Sequence, residues 1–255
     1  AAGTYQASTG QSSCTDASAG YYVDTNASTT QTACALGTYQ SATGQTSCDD
    51  ADAGYYVGST GQSNQTACVP GTYQSATGQT SCDDADAGYY VDANSSTNQI
   101  PCALGTYQPN NGQSSCDIAD AGYYVDSTAS ITQTECAVGT YQSATGQSSC
   151  DDADAGYYVG STGQSAQTAC AAGTYQPSTG QSSCTDASAG FYVDTNASTA
   201  QTACAVGTYQ SATGQLSCDD ADAGYYVPST GQISQTECAA GTYQAVTGQS
   251  SCTDA

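Results

Sequence analysis

The chain contains no lysine, arginine, histidine, methionine or tryptophan, and a single phenylalanine, Phe191. Each absence removes a class of chemistry. Without histidine there is no Ser-His-Asp or Cys-His nucleophile, and without lysine there is neither a Schiff base nor an amine base. Without either strong cation there is no phosphate clamp, and nothing to neutralise a nucleic-acid backbone or an anionic membrane surface. Nucleic acid is therefore excluded as a partner, and no membrane contact by this segment is expected. Paired carboxylates such as Asp49 and Asp50 are in principle able to do acid–base work. They recur in copy after copy, as a structural feature does, so the chain reads as a non-enzyme with no cofactor. No apolar run approaches the roughly 20 residues of a membrane span. There is no signal-peptide pattern and the chain opens Ala-Ala-Gly rather than with Met, so it reads as an internal fragment of a longer protein. Leu, Ile and Val are scarce, and 21 tyrosines supply nearly all the large apolar surface. That is too little for one thick core in 255 residues.

What is present is a strict repeat. Fifteen cysteines run from Cys14 to Cys252, alternating without a slip between a long step, as from Cys14 to Cys34, and a short one, as from Cys34 to Cys48. The repeats are 1–34, 35–68, 69–102, 103–136, 137–170, 171–204 and 205–238, with a half repeat over 239–255. The first and sixth differ only at Ala7/Pro177, Tyr21/Phe191 and Thr30/Ala200. Evenly spaced glycines, Gly3, Gly20, Gly37 and onward, divide each repeat into two halves of equal length. An A half-module opens Gly-Thr-Tyr, as at Gly3 and Gly37, and a B half-module opens with a Gly-Tyr-Tyr-Val type of run, as at Gly20. Regular cysteines in a chain poor in core residues mean a disulfide framework, and with it an extracellular or cell-surface location. Zinc is disfavoured, since there is no Cys-x-x-Cys pair and no histidine. The net charge of −23 resists collapse and self-association and favours divalent cations.

Gly-Thr-Tyr-Gln and Gly-Tyr-Tyr-Val are short β-prone runs. Turn-rich stretches follow them, such as Ser41-Ala42-Thr43-Gly44 and Gly58-Ser59-Thr60-Gly61. Helical periodicity is absent and glycine recurs too often for long helices. The expected fold is a linear, rod-like array of small disulfide-rich all-β or irregular repeats, each two half-modules with short hairpins. Strands of about three to five residues are expected. Asp49-Asp50-Ala51-Asp52 reads as a single helical turn or a plain loop. The tyrosines, as the only residues able to make a core, are expected to pack on the disulfides and on the next unit.

Spacing alone leaves two regular pairing schemes, the short step (Cys34 to Cys48) and the long step (Cys14 to Cys34), and either leaves one cysteine over. Here the residues carry a resemblance. Cys34-Ala-Leu-Gly-Thr-Tyr followed by Gly44-Gln-Thr-Ser-Cys48 resembles the ephrin-receptor-like cysteine-rich repeat, and is similar to the first loop of tumour necrosis factor receptor modules. In that pattern a further Cys-x-x-Cys leads into the next module. Its second cysteine falls at Ala17 here and the matching closing cysteine at Gln31. The same substitution recurs at Ala51/Gln65, Ala85/Gln99, Ala119/Gln133, Ala153/Gln167, Ala187/Gln201 and Ala221/Gln235. Both members of one bridge are thus missing together in every B half. Set beside the family pattern, this implies the short-step scheme: Cys34–Cys48, Cys68–Cys82, Cys102–Cys116, Cys136–Cys150, Cys170–Cys184, Cys204–Cys218 and Cys238–Cys252. Cys14 is then unpaired in the fragment, its partner expected just before Ala1. The B halves are expected to be held by contact with flanking A halves.

Two further features bear on function. Asn26-Ala-Ser, Asn94-Ser-Ser and Asn196-Ala-Ser are glycosylation sequons at one place in the repeat, and Asn64-Gln-Thr is a fourth, slightly later in the unit. A weak calcium site would use Asp49, Asp50 and Asp52, although the third acidic ligand and distal Glu of a calcium loop are missing. The reading is an extracellular structural repeat protein forming a rod or fibril, glycosylated, whose partners are its own kind or neighbouring units along a fibre, and glycans. The rival readings are the stalk of a receptor or adhesin ectodomain, and a calcium-binding repeat surface.

Overall fold

The computed structural model describes residues 1–254, and every half-module in it is one small antiparallel hairpin. The two residues after the opening glycine form the first strand. In the first A half Thr4–Tyr5 pairs with Thr15–Asp16, in register Thr4↔Asp16 and Tyr5↔Thr15. In the B half that follows, Tyr21–Tyr22 pairs with Thr32–Ala33. The same pairing recurs to Thr242–Tyr243 with Thr253–Asp254. No helix occurs among the described residues, and none is long and apolar enough to cross a membrane.

The strands are two residues long, shorter than the sequence suggests, because the next backbone groups are drawn into neighbouring half-modules. The amide of Gln6 donates to Ser28 O at 3.0 Å and that of Val23 to Gln45 O at 3.0 Å, rather than across their own hairpins. Asp49-Asp50 is neither helical turn nor loop. It is the second strand opposite Thr38–Tyr39, and Ala51 N then donates to Gly37 O at 2.8 Å, which holds the backbone extended.

The chain divides into two compact units, Ala1–Ile118 with Val125–Gln133, and Ala119–Tyr124 with Thr134–Ala255. In the first, a ladder of amides links successive half-modules: Gly3 N donates to Val23 O at 2.7 Å, Gly20 N to Gln40 O at 2.7 Å, Gly37 N to Val57 O at 2.9 Å. A second rung skips a half-module, from Gly44 N to Ala17 O at 2.8 Å and from Gly61 N to Cys34 O at 2.9 Å. The second unit has the same ladder within itself, for example Gly156 N to Gln176 O at 2.8 Å and Gly180 N to Ala153 O at 2.8 Å. A lone two-stranded hairpin is marginally stable at best in water, so these rungs satisfy the backbone that the short strands leave open.

The core of each unit is a file of small side chains. Ala17, Val23, Cys34, Ala51, Val57 and Cys68 are buried in the first, and Ala153, Val159, Cys170 and Ala187 in the second. The tyrosines expected there are only half-buried, apart from the exposed Tyr243. The reason is how closely the backbones approach. A Cβ on Gly54 would collide with the carbonyl oxygen of Ser95, and Gly54 has φ +85°. A phenol has no room where a Cβ does not. Where B halves bury valine, A halves bury glutamine. Gln40 donates from Nε2 to Ser47 O at 3.1 Å and to Asp49 Oδ2 at 3.3 Å, and its Oε1 accepts from Ala42 N at 3.0 Å. That single side chain ties together the loop between Tyr39 and Asp49 in its own hairpin. No buried side-chain polar atom lacks a partner among the described residues.

Candidate functional site

The repeat presents one structure-bearing site per half-module. In A halves it is the disulfide. Cys34 is bonded to Cys48, Cys68 to Cys82, Cys102 to Cys116, Cys136 to Cys150, Cys170 to Cys184, Cys204 to Cys218 and Cys238 to Cys252. Cα–Cα distances are 5.7 to 5.8 Å, within the ordinary range for such bonds. From Cys34 to Cys218, each bridge ties a buried cysteine that follows one hairpin to a half-buried cysteine just before the second strand of the next. Cys14 is exposed and in no disulfide.

In B halves the same register is occupied by a hydrogen-bonded clamp. Ala51 is fully buried where an A half places its inner cysteine. Gln65, in the outer position, accepts from Asp52 N at 2.6 Å through Oε1 and donates to Asp52 Oδ2 at 2.6 Å through Nε2. The double contact recurs at Gln99 with Asp86, Gln167 with Asp154, and Gln235 with Asp222. Where serine replaces the aspartate, the backbone half remains, from Ser18 N to Gln31 at 2.7 Å and from Ser188 N to Gln201 at 2.7 Å. The clamp spans 13 residues where the bridge spans 14. Reading the sequence for lost cysteines finds the gap but not what fills it, and B halves are therefore not held by flanking contacts alone. The available signal was the replacement itself, glutamine every time and never a residue without hydrogen-bonding reach.

The sequon asparagines sit on exposed turns. Asn26, Asn94 and Asn196 are exposed, and each precedes a non-glycine residue in the left-handed region: Ala27 (φ 58°), Ser95 (φ 57°) and Ala197 (φ 56°). Most half-modules have glycine at that turn position, as at Gly44 and Gly61. Ala129 (φ 56°) makes the same turn without a sequon. Asn196 Oδ1 accepts from Ala172 N at 2.9 Å, a contact that does not use its amide nitrogen, the atom that carries a glycan. Asn64 is exposed, with Nδ2 donating to Ser63 Oγ at 3.2 Å.

The acidic residues singled out for calcium have separate engagements. Asp49 accepts from Gln40, Asp52 accepts from Gln65, and the Asp50 carboxylate packs beside Gly78. No three His, Cys, Asp or Glu side chains converge as a metal-holding group among the described residues. Two phenols feel the acidic surroundings. Burial, then Asp52 and Asp49, holds the Tyr39 pKa above its ordinary value. The Glu135 charge, with burial and a 3.4 Å hydrogen bond from the Tyr123 hydroxyl to Glu135, does the same for Tyr123.

Residues 156–204 match the family model described as tyrosine-protein kinase ephrin type A/B receptor-like. The matched stretch runs from Gly156 through the Cys170–Cys184 bridge to Cys204, and contains B, A and B half-modules of the kind repeated elsewhere. No curated protein matches the chain. The chain is thus a tandem array of disulfide-rich repeats, similar over residues 156–204 to the ephrin-receptor-like repeat, a type typical of extracellular domains and not an enzymatic fold.

Proposed function

We propose that the chain is a length of an extracellular structural rod or fibril, glycosylated at Asn26, Asn94 and Asn196 and at the offset Asn64. The observation that supports this best is the invariance of the step. Within each unit the same amide-to-carbonyl rung recurs once per half-module, as at Gly3, Gly20 and Gly37 in the first and Gly139, Gly156 and Gly173 in the second. A repeat array in which each unit meets its neighbours in one way has a constant rise and rotation per unit, and a fibre needs both. The absence of lysine and arginine also leaves trypsin-type proteases no cleavage site, an advantage for a polymer exposed outside cells.

Electron microscopy of the native material tests the reading: uniform filaments with an axial repeat are expected, and only short single particles would overturn it. Release of N-linked sugar by an amidase, read by mass spectrometry as Asn→Asp conversion, tests the sequons. Conversion is expected at Asn26, Asn64, Asn94 and Asn196. The likeness of residues 156–204 to a receptor-like repeat favours a second reading, the stalk of a surface receptor or adhesin. Monomeric particles ending in a distinct globular head would establish it in place of the first.

A further inference from the structure

Asn111 is the only asparagine in the chain that precedes a glycine, Gly112. The other A halves have threonine before that glycine, as at Thr43 and Thr77. This turn alone therefore joins a carboxamide to a backbone nitrogen with no Cβ beside it. Both residues lie in the loop that the Cys102–Cys116 bridge closes. Asn111 is exposed, and Gly112 takes φ +71°. One short stretch of chain, Ala85 to Ala87, holds both groups. Gly112 N donates to Ala85 O at 2.7 Å, a rung of the ladder, and Ala85 is fully buried. Asn111 Oδ1 accepts from Ala87 N at 2.8 Å. The Asp84 carboxylate packs beside Gly112, and a negative charge there opposes removal of a proton from the Gly112 nitrogen.

We propose that Asn111 is a deamidation site gated by the fold, with water as the co-reactant. When the rung opens, solvent hydroxide takes the Gly112 amide proton and the nitrogen attacks Asn111 Cγ. A new C–N bond forms, the carboxamide nitrogen leaves as ammonia, and a five-membered succinimide remains. Water then opens the ring at one of its two carbonyls. Opening at the side-chain carbonyl gives aspartate. Opening at the backbone carbonyl gives isoaspartate, whose main chain runs through Cβ and Cγ and is one carbon longer. One water is gained and one ammonia lost, with no oxidation or reduction. Removal of an amide proton by base is also the step that hydrogen exchange reads, and it requires the hydrogen bond to open first. The closed rung and the Ala87 contact therefore protect Asn111 in the folded chain. The Gly112 carbonyl oxygen sits where a Cβ on Gly71 would collide with it, so the packing has no slack for an extra backbone carbon. Isoaspartate thus keeps the rung from closing again, and a transient opening becomes permanent at this one turn.

The test incubates the intact oxidised chain at mildly alkaline pH beside the same chain reduced and unfolded in urea. Conversion of Asn111 to aspartate or isoaspartate is read by mass spectrometry of chymotryptic peptides, since trypsin finds no site. Conversion is expected in the unfolded chain and at least about tenfold slower in the folded one, where two hydrogen bonds must open first. Ala87→Pro removes the amide that holds Asn111 Oδ1. Ala87 lies between Asp86 and Gly88 (φ +86°) in a turn closed from Tyr89 N to Asp86 O at 2.9 Å, and proline is favoured there. Pro70 already occupies the same place before Gly71. Ala87→Pro should keep the parent's tyrosine dichroism and speed conversion in the folded chain several-fold. Ala53→Pro makes the same change one repeat earlier, where no asparagine follows at the matching position, Thr77, and should leave the rate at Asn111 unchanged. Equal rates in folded and unfolded chains, no conversion in the unfolded chain, or equal effects of the two proline variants would overturn the proposal.

Discussion

At the scale of single residues, glycine and its replacements set the limits. Gly54 is required twice over, by a φ of +85° and by the carbonyl of Ser95 that sits where its Cβ would go. Gly54→Ala is expected to lower stability by at least the ~1–2 kcal/mol of a left-handed Cβ, with more from the backbone shift. A urea midpoint unchanged from the parent would refute this. The converse holds at Ala129, held at φ 56° where most half-modules have glycine. Ala129→Gly should raise stability by about 1 kcal/mol and, lying outside the sequons, should not alter glycan occupancy. Tyrosine supplies a pH dependence. The folded pKa of Tyr39 lies above its ordinary value of 10.0, mainly through burial and then through Asp52 and Asp49. Its protonated form is thus favoured in the fold, and the stabilisation is intact below pH 10. It is lost as pH rises past that point, where the unfolded chain releases its proton first. Denaturant midpoints should therefore fall between pH 9 and 11, less steeply in Tyr39→Phe.

At the scale of the element, the hairpin closes in two chemically different ways, and the difference can be measured. Gln65→Ala removes two exposed hydrogen bonds to Asp52 and is expected to cost about 1 kcal/mol. Replacing the clamp with the bridge it stands in for, as Ala51→Cys/Gln65→Cys, should form a disulfide on oxidation, because those positions share the register of Cys34 and Cys48. Closing that loop is worth roughly 3 kcal/mol in the chain-entropy model. Failure of the pair to oxidise would mean that the B half does not share the A geometry. The sequence carried much of this element: the opening glycines and the tyrosine-bearing strands follow from residue spacing, and the paired loss at Ala51 and Gln65 from the resemblance to the ephrin-receptor-like pattern. What it did not carry was strand length and the glutamine contacts. Both depend on where a backbone amide finds its acceptor, and Val23 finds it beyond its own half-module, at Gln45. No local propensity encodes a contact of that range. The buried Gln40 misleads for the same reason, since a polar residue reads as exposed until Ser47, Asp49 and Ala42 are seen to satisfy it.

At the scale of the molecule, the question is what replaces a hydrophobic core. Composition indicated that a thick core was impossible, and tyrosine was the natural candidate for a thin one. In the structure the interior is instead alanine, valine, cysteine and glutamine, because the half-modules approach closely enough for Gly3 to pack on the carbonyl of Gly44. Burying an alanine or a valine yields at most about 1–2 kcal/mol, and ordering each backbone residue costs a similar amount. Apolar burial alone therefore does not hold the array, and the disulfides carry the difference by restricting the unfolded chain. In a nearest-neighbour array the loss of one bridge is felt locally, while the loss of all seven is felt in every repeat. Full reduction is accordingly expected to unfold the chain at room temperature. The near-ultraviolet tyrosine dichroism should vanish as the accessible thiol count rises from one, Cys14, to fifteen. The intermediate regime separates the two kinds of closure. If reduction is halted partway, repeats that keep their bridge should keep their neighbouring B halves folded, read as amide protection at Val23, Val57 and Val91 that tracks the bridges beside them. Protection that survived at these valines after complete reduction would show that the backbone ladder and the glutamine clamps suffice without the bridges, and would rank them above the disulfides in holding the fold.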